Sequence, residues 1–350
     1  MPYERIPIHT NPLDLRTRRP YPVRVSFSKP SPPVSSPIRE LRFADCDQLS
    51  ELVSSGEVQF IQLGSGPCKA SMMRIDLDGF YLLLTEVSNR TACHTASRKG
   101  VRVIHIPLRW SGSLHWNGRT LERSGVIVWG DSCDYCRVGG DVRTVALIID
   151  EAAIRERIEI WAGSSHGLWD SLDGHMLADT PASRHFAEVI AWVVGLAARG
   201  SGSLGVPAVR AQLSERLLLA LVNAVEAQGE SLVVGPPIAR DRTRIVRQMT
   251  DHLLAYPDRV VQLSDLCQLT GYSARSIAHA CQTVLETSPM RYLKQLRLNQ
   301  ARILLREGTR DRTTVSECAY FAGFSHLGRF SADYRRMFGE SPSQTLDRSM

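Results

Sequence analysis

The sequence lacks most of what several large protein classes require. No stretch approaches the roughly 20 uncharged apolar residues of a membrane-spanning helix. The opening Met1–Arg19 is broken by Arg5, Asp14, Arg16, Arg18 and Arg19, with no apolar core behind it, so it does not read as a secretory signal. A cytoplasmic protein is expected, with no membrane partner. The eight cysteines form no disulfide framework, and their scatter fits free, mostly buried thiols in a reducing compartment. The ten histidines make no His-x-His or His-Glu-x-x-His pattern, and there is neither a glycine-rich phosphate loop nor a Gly-x-Ser-x-Gly elbow. No metal, cofactor or catalytic residue is therefore assigned, and the reading is not that of an enzyme. Lysine is nearly missing: of 42 basic residues only Lys29, Lys69, Lys99 and Lys294 are lysines. Arginine in its place suits bidentate contacts to phosphate and guanine, although a GC-rich genome produces the same bias.

What is present is an ordinary globular composition, 43% hydrophobic and 22% charged over 350 residues, enough for two domains. The formal net charge is +6, and Arg240 to Met350 alone holds 17 basic against 11 acidic residues. All the net positive charge thus sits in the last third, a basic module on a neutral body, which points to an anionic partner for that module.

Residues 1–37 hold nine of the 18 prolines and cannot build a core, so an extended or disordered arm is expected there. From about Leu41 to Asp150 come short runs rich in β-branched and aromatic residues, such as Val58–Leu63, Phe80–Val87, Val101–Pro107, Gly125–Trp129 and Val142–Ile149. Turn signals separate them at Leu77–Gly79, Trp116–Gly118 and Gly139–Asp141. This reads as a small antiparallel barrel or sandwich. Helical periodicity follows: Phe186, Val189, Ile190, Val193, Val194 and Ala197 form one stripe, and Leu213, Leu217, Ala220, Leu221 and Ala224 another. Such helices either cover an open face of the β domain or pair with a second subunit, since both uses need the same stripe. Residues 38–227 thus make one unit, residues 228–240 a Gly- and Pro-containing linker, and residues 241–350 a C-terminal all-α domain; the class is α+β.

The strongest signal is an internal repeat. Leu263–Ser273 (LSDLCQLTGYS) recurs 52 residues later as Val315–Ser325 (VSECAYFAGFS). Each copy runs a short helix into a glycine, then an aromatic, then a serine placed to cap the next helix. Gly271 and Gly323 supply the positive φ of a tight turn, and Tyr272 and Phe324 pack beneath both helices. This is the grammar of two helix-turn-helix units, about 261–285 and 313–338. Beyond the turn the spacing becomes 53, which puts one extra residue into the second recognition helix. Between the units, Met290–Arg306 reads as one amphipathic helix with Arg291, Lys294, Arg297 and Arg302 among its leucines, spanning roughly 25 Å.

At Ala319–Ser331 (AYFAGFSHLGRFS), Tyr334–Pro342 (YRRMFGESP) and Arg297–Leu305 (RLNQARILL) the chain resembles the DNA-binding domain of the AraC/XylS family of bacterial transcription regulators. Cys267, Cys281 and Glu286 depart from that pattern in the first unit, Glu286 standing where the second copy has Gly339. More faintly, Ser124–Gly130 and Val145–Ile154 resemble the last strands and first helix of the sensor domain found ahead of this module. The resemblance implies a cupin-like β-barrel that senses a small molecule and assists homodimerisation, double-stranded promoter DNA as partner, and contact with RNA polymerase.

By the geometry of such units, residues in the first turns of each second helix face base edges in the major groove. In unit one these are Ala274, Arg275, Ser276 and His279; in unit two His326, Gly328 and Arg329, with Ala332 a turn further in. Arg275 and Arg329 are the expected guanine readers, and contact with phosphate alone is the competing assignment. Ser273, Arg297, Arg310, Ser325, Arg335 and Arg336 are the candidate phosphate contacts. Cys133 and Cys136 are either structural thiols, a redox pair or, given two further ligands, a metal site. Cys267, Cys281 and Cys318 belong on apolar helix faces. His105 and His115 either line a ligand pocket or neighbour core strands. The leading expectation is an effector-controlled transcription regulator, an activator. The alternatives are a constitutive or partner-controlled DNA-binding protein, and a cupin-type enzyme fused to a DNA-binding module.

Overall fold

In the computed structural model the protein is described over residues 36–51, 56–97, 99–121, 125–129, 134–162, 174–200, 202–228, 237–256, 261–309 and 313–348. Nearly all of the expected arm, most of the linker, Cys133 and Arg310 lie outside the described residues.

The N-terminal part is one antiparallel sheet: β1 (Ile38–Phe43), β2 (Gly56–Gln62), β3 (Ala70–Asp76), β4 (Phe80–Val87), β5 (Thr91–Ser97), β6 (Val101–Trp116), β7 (Arg119–Leu121), β8 (Ile127–Trp129), β9 (Asp134–Asp150) and β10 (His175–Met176). Its spine is the long pair β6 and β9. The far edge of β9 takes β5 along Asp134–Gly139 and then β4 along Val142–Ile149. Gly139–Gly140–Asp141 is therefore not the turn its composition suggests. It is the point inside β9 where one neighbour hands over to the next, and a Cβ at Gly139 would sit 2.7 Å from Leu114 and 2.9 Å from Val142. Opposite it, β6 changes register between Pro107 and His115. Bulges bend a strand sharply, so both long strands fold over and bring the sheet's two halves face to face. The other turn signals hold: Asn117 and Gly118, both at positive φ, join β6 to β7, and Gly79 at φ 86° joins β3 to β4.

Among the described residues the sheet does not close. The chain of pairings runs from β1 through β3, β4, β9, β6 and β8 to β10, with β2, β5 and β7 branching from it, and no pairing joins its ends. The expected cupin-like β-barrel is thus corrected to a folded open sheet. What seals it is side-chain packing: Phe60, Leu83, Trp116, Trp129, Tyr135 and Ile148 fill the concave side. The convex side is equally apolar, with Leu82, Leu84, Ile104, Ile106, Val145 and Leu147 packed under helices. Strands buried on both faces lose the polar alternation of a half-exposed strand, which is why Phe80–Val87 and Val142–Ile149 read as continuous apolar runs.

Asp150 ends β9 and caps α1 (Glu151–Ala162) by accepting from Ala152 and Ala153 N–H. Helix α2 (Pro181–Ala198) starts on a Thr180–Ser183 capping box with proline in its first turn, and α3 (Pro207–Glu226) follows. The stripe from Phe186 to Ala197 is buried in the same cluster as the convex sheet face. Of the two uses open to it, this stripe covers the sheet.

The C-terminal helices are α4 (Pro237–Ala255), α5 (Leu263–Thr270), α6 (Ala274–Leu285), α7 (Pro289–Glu307), α8 (Val315–Phe321), α9 (Leu327–Phe338) and α10 (Pro342–Asp347). Met249, Ile277, Cys281 and Leu296 centre one core; Leu305, Cys318, Phe330 and Tyr334 centre the other. The first core continues without a polar break into Ile61, Leu63, Ala92, Cys136 and Val138 of the sheet. Among the described residues no helix is long and apolar enough to cross a membrane.

Candidate nucleic-acid interface

The two repeats fold alike up to their turns. Gly271 ends α5 at φ 72°, its N–H reaching the Cys267 carbonyl, and Gly323 takes φ 79° after α8. Both sit in the left-handed region where any other residue is strained. In the first unit Ser273 caps α6 by accepting from Ser276 N–H at 3.1 Å. In the second the N-cap is His326, with no side-chain cap bond, and Ser325 lies exposed one residue earlier. Helices α6 and α9 have equal length, 12 residues each. The additional residue of the second copy therefore lies in the longer turn 322–326, not in the recognition helix. Phe324 lies tilted against Phe330 at 4.9 Å between ring centres, and Tyr272 packs on the first core, with its hydroxyl accepting from Arg244 at 2.6 Å.

Helical periodicity divides α6 and α9 into two faces. Ile277, Ala280, Cys281 and Val284 are buried on α6, as are Phe330, Tyr334 and Met337 on α9. On the opposite faces Ala274, Arg275, His279, His326, Gly328, Arg329 and Ala332 are exposed, with Ser276 half-buried. Arg275 and Arg329 form no hydrogen bond or ion pair with any described residue, so both guanidinium forks are presented to solvent. The candidate phosphate contacts are less uniform. Arg335 is exposed, and Arg336 is exposed with Asp333 at 3.5 Å. Arg297 is half-buried on α7, where burial lowers its pKa. Other basic residues of α7 are engaged in ion pairs: the partly exposed Lys294 with Asp333 at 2.6 Å, and the buried Arg302 with Asp45 and Glu340. Helix α7 has 19 residues, about 28 Å along its axis.

The C-terminal ends of both recognition helices rest on the folded sheet while their N-terminal turns point to solvent. On α9, Gln62 donates its side-chain amide to the Met337 carbonyl at 2.9 Å, and Gly66 N–H donates to the same oxygen at 2.9 Å. On α6, Thr283 presses on Gly118 at the β6–β7 turn, where a Cβ would meet it at 3.0 Å. Between the two, α7 grips β2 through Asn299, which accepts from Gln62 N–H and donates back to the Gln62 carbonyl, both at 3.0 Å. Arg306 pairs with Asp47 at 2.6 Å beside them.

Glu286 explains its own departure from the repeat. It ends α6 at φ 52° and ψ 37°, the left-handed conformation that Gly339 adopts after α9. The side chain that makes this costly is put to use. Its carboxylate lies 2.6 Å from Arg90, 2.7 Å from His115 Nε2 and 3.1 Å from the Ser113 hydroxyl, all on the sheet. This contact, the Asn299 grip and the Gln62 bridge are the site features that sequence reasoning missed; only the Glu286-for-Gly339 mismatch signalled one of them.

The remaining candidates separate. His94 Nε2 lies 2.9 Å from the Tyr292 hydroxyl, which lies 2.8 Å from Thr250, whose own proton goes to the Val246 carbonyl. That chain assigns His94 as donor to Tyr292. Burial pushes the His94 pKa down to about 3, so the ring is neutral. Cys136 is a buried free thiol whose pKa burial raises, and Cys281 and Cys318, also buried, are each pushed up to about 12. His115 belongs to the Glu286 contact. His105 lines a cavity of about 40 Å³ inside the folded sheet, together with Phe60, Thr85, Trp116, Tyr135 and Arg137. Among the described residues no group of three or more His, Cys, Asp or Glu side chains is placed to hold a metal ion.

Residues 266–348 match a family model described as a helix-turn-helix domain. The chain is 34% identical to a probable thc operon regulatory protein of Rhodococcus erythropolis over 140 residues, 40% of this chain and 42% of that one. It is 38% identical to XylDLEGF operon transcriptional activator 2 of Pseudomonas putida over 88 residues, 25% of this chain and 56% of that one. The chain spans about half the length of these curated relatives. A crystal structure of a probable AraC family transcriptional regulator from Rhodopseudomonas palustris CGA009 is 43% identical over 30% of this chain and 97% of that one, with a TM-score of 0.28.

Proposed function

The chain belongs to the AraC family of transcription regulators, and we propose that it binds promoter DNA through α6 and α9 and activates transcription under control of a small-molecule effector held in the folded sheet. The observation that carries this reading is the pair of solvent-facing arginines, Arg275 and Arg329, at equivalent ends of two equal-length helices. A guanidinium fork in that position matches the O6 and N7 acceptors of guanine. Ala274, Ser276, His279, His326 and Gly328 border them at the base edges. Ser273, Ser325, Arg335 and Arg336 reach the flanking phosphates, and Arg297 does so only by swinging outward. Residues 38–227 act as the sensing and dimerising unit and residues 241–350 as the DNA-binding unit. RNA polymerase and a second copy of the chain are the protein partners in this reading, which places the protein in the cytoplasm and on the nucleoid.

The cavity favours an effector over a constitutive or partner-controlled binder, whose sheet interior has no reason to stay unfilled. Because the sheet holds the C-terminal ends of both recognition helices, a change of shape around the cavity reaches α6 and α9 through Glu286, Asn299 and Gln62. The test is fluorescence anisotropy of the full chain on DNA from upstream of its own gene and the neighbouring genes. A bipartite site with half-sites about 10 base pairs apart, and affinity falling steeply with salt, is expected. Equal affinity for any duplex of that length refutes sequence-specific regulation.

A further inference from the structure

We infer that the cavity in the folded sheet holds a compact inorganic monoanion of chloride's size, bound as the counter-charge of Arg137; the inference concerns the cavity of the effector reading but stands on that cavity's donors alone. Arg137, on β9, is 3% exposed. Its Nη1 donates to the Thr144 hydroxyl at 3.2 Å, whereas Nη2 is buried without a hydrogen-bond partner. No aspartate or glutamate lines the cavity, and no ion pair joins Arg137 to a described residue. The two other deeply buried arginines among the described residues are both neutralised: Arg102 by Glu151 at 2.6 Å, Arg302 by Asp45 and Glu340. A buried cation without a counter-charge is strongly disfavoured. Neither Cys93 nor Tyr135 beside it supplies the charge, because burial raises the pKa of both and keeps both protonated.

The remaining polar groups of the wall are donors. Three lining residues carry a buried nitrogen without a partner: Nη2 of Arg137, Nδ1 of His105 and Nε1 of Trp116. The Nε2 of His105 lies 2.7 Å from the Tyr135 hydroxyl, and a proton given by that hydroxyl to Nε2 leaves Nδ1–H as a donor. Burial and Arg137 hold the ring neutral, with a pKa of about 3. The Thr85 and Thr144 hydroxyls lie 3.0 Å apart and share one bond, and Thr144 already accepts from Arg137, so the pair has one hydroxyl proton to spare. No acceptor on a lining residue is buried without a partner. A site made of donors around a cation recognises an anion; water alone would leave the charge of Arg137 unanswered. The volume of about 40 Å³ is room for about three waters, which admits a monatomic anion with a water beside it and excludes any ring. A dianion such as sulfate would leave a net charge buried. Phe60, Val103 and Ile148 complete the wall without polar side-chain atoms, so the anion enters stripped of its hydration shell and the N–H groups replace the lost waters.

The test follows thermal unfolding and tryptophan emission of the full chain at fixed pH and ionic strength while gluconate is exchanged for chloride or bromide. Chloride at about 100 mM is expected to raise the Tm by about 3 °C over gluconate, with saturation, as for a site with a Kd of about 1 mM. Bromide is expected to quench tryptophan emission saturably, because Trp116 lines the site. Arg137→Met, which removes the charge and keeps an unbranched side chain, is expected to lose the chloride dependence. Ala146→Val, which takes up cavity space beside an intact Arg137, is expected to lose it as well. Crystals grown in bromide are expected to show an anomalous peak within hydrogen-bond distance of Nη2. A Tm and an emission that do not distinguish chloride from gluconate, or bromide peaks confined to the surface, overturn the assignment, and both are read on the unmodified chain whether or not a variant folds. No DNA enters these measurements, so their failure leaves the regulator reading standing, and failure to bind an operator leaves the anion site standing.

Discussion

Replacing Glu286 tests whether the sheet restrains the first recognition helix, because two effects of known sign meet at this residue. A side chain in the left-handed conformation costs about 1–2 kcal/mol relative to glycine, and the Glu286 backbone sits there at φ 52°. Against that stand the contacts of its carboxylate. The pair with Arg90 is about one-third exposed on both sides and contributes about 0.5 kcal/mol. The Ser113 hydroxyl, 3.1 Å away, contributes about 1.5 kcal/mol as a hydrogen bond to a charged acceptor, and His115 Nε2 lies 2.7 Å from the same carboxylate. Glu286→Ala keeps the backbone strain and loses the contacts, so a destabilisation of about 2–3 kcal/mol is expected. Glu286→Gly loses the same contacts and relieves the strain, so it should fall about 1 kcal/mol short of that. Urea unfolding of the full chain at low salt, followed by tryptophan fluorescence, measures both. If the alanine variant is as stable as the parent, or the glycine variant no more stable than the alanine one, the restraint by Arg90, Ser113 and His115 is refuted.

Arg329→Ala is expected to relax preference at one base position of the operator by about 1–3 kcal/mol, read from a systematic single-base panel; a uniform loss across the panel would make it a phosphate contact. Gly271→Ala meets open space, so its cost is the backbone strain at φ 72° alone, about 1–2 kcal/mol, and a larger loss in thermal unfolding would reveal a packing role. His94 and His105 both have folded pKa values near 3, below the value near 6.5 of an unfolded chain. Between those limits the unfolded state binds the extra protons, so stability is level above about pH 6.5 and falls as the pH drops. By pH 5 the loss is about 2 kcal/mol per histidine. His94→Gln removes one share of that slope, and a slope unchanged by the substitution refutes the assignment.

The helix-turn-helix units were legible because their signals are local. Gly271 and Gly323 mark positive φ in the sequence itself, and the spacing of Ile277, Ala280, Cys281 and Val284 repeats at the helical period. Legibility failed at the second unit's cap. Ser325 has the composition of an N-cap, yet the longer turn hands that position to His326, a choice that no single residue announces. It failed again at Gly139–Asp141, where a turn signal marks a bend inside a strand, because the residues that oppose β9 come from β4 and β5, far away in the chain. The cysteines illustrate the same limit: apolar surroundings for Cys281 and Cys318 follow from helical periodicity, whereas Cys136 reaches the C-terminal core only because β9 lies against it.

By itself the sequence determined the class of elements, their order, the doubled helix-turn-helix and the residues on the exposed face of each recognition helix, since capping, turn chemistry and hydrophobic periodicity act over a few neighbouring residues. Only the tertiary structure decided what those elements do to one another. It left the sheet open where a barrel was expected, spent the α2 stripe on the sheet's convex face, and paired Lys294 with Asp333 and Arg302 with Asp45 and Glu340. It also set Gln62 against Asn299, Glu286 against Arg90, and Arg137 in an aromatic cavity without a counter-charge. The separation of these pairs along the chain is the physical reason. Such contacts depend on which surfaces meet after the apolar faces are buried, and the residues that form them carry no mark of the meeting until it occurs.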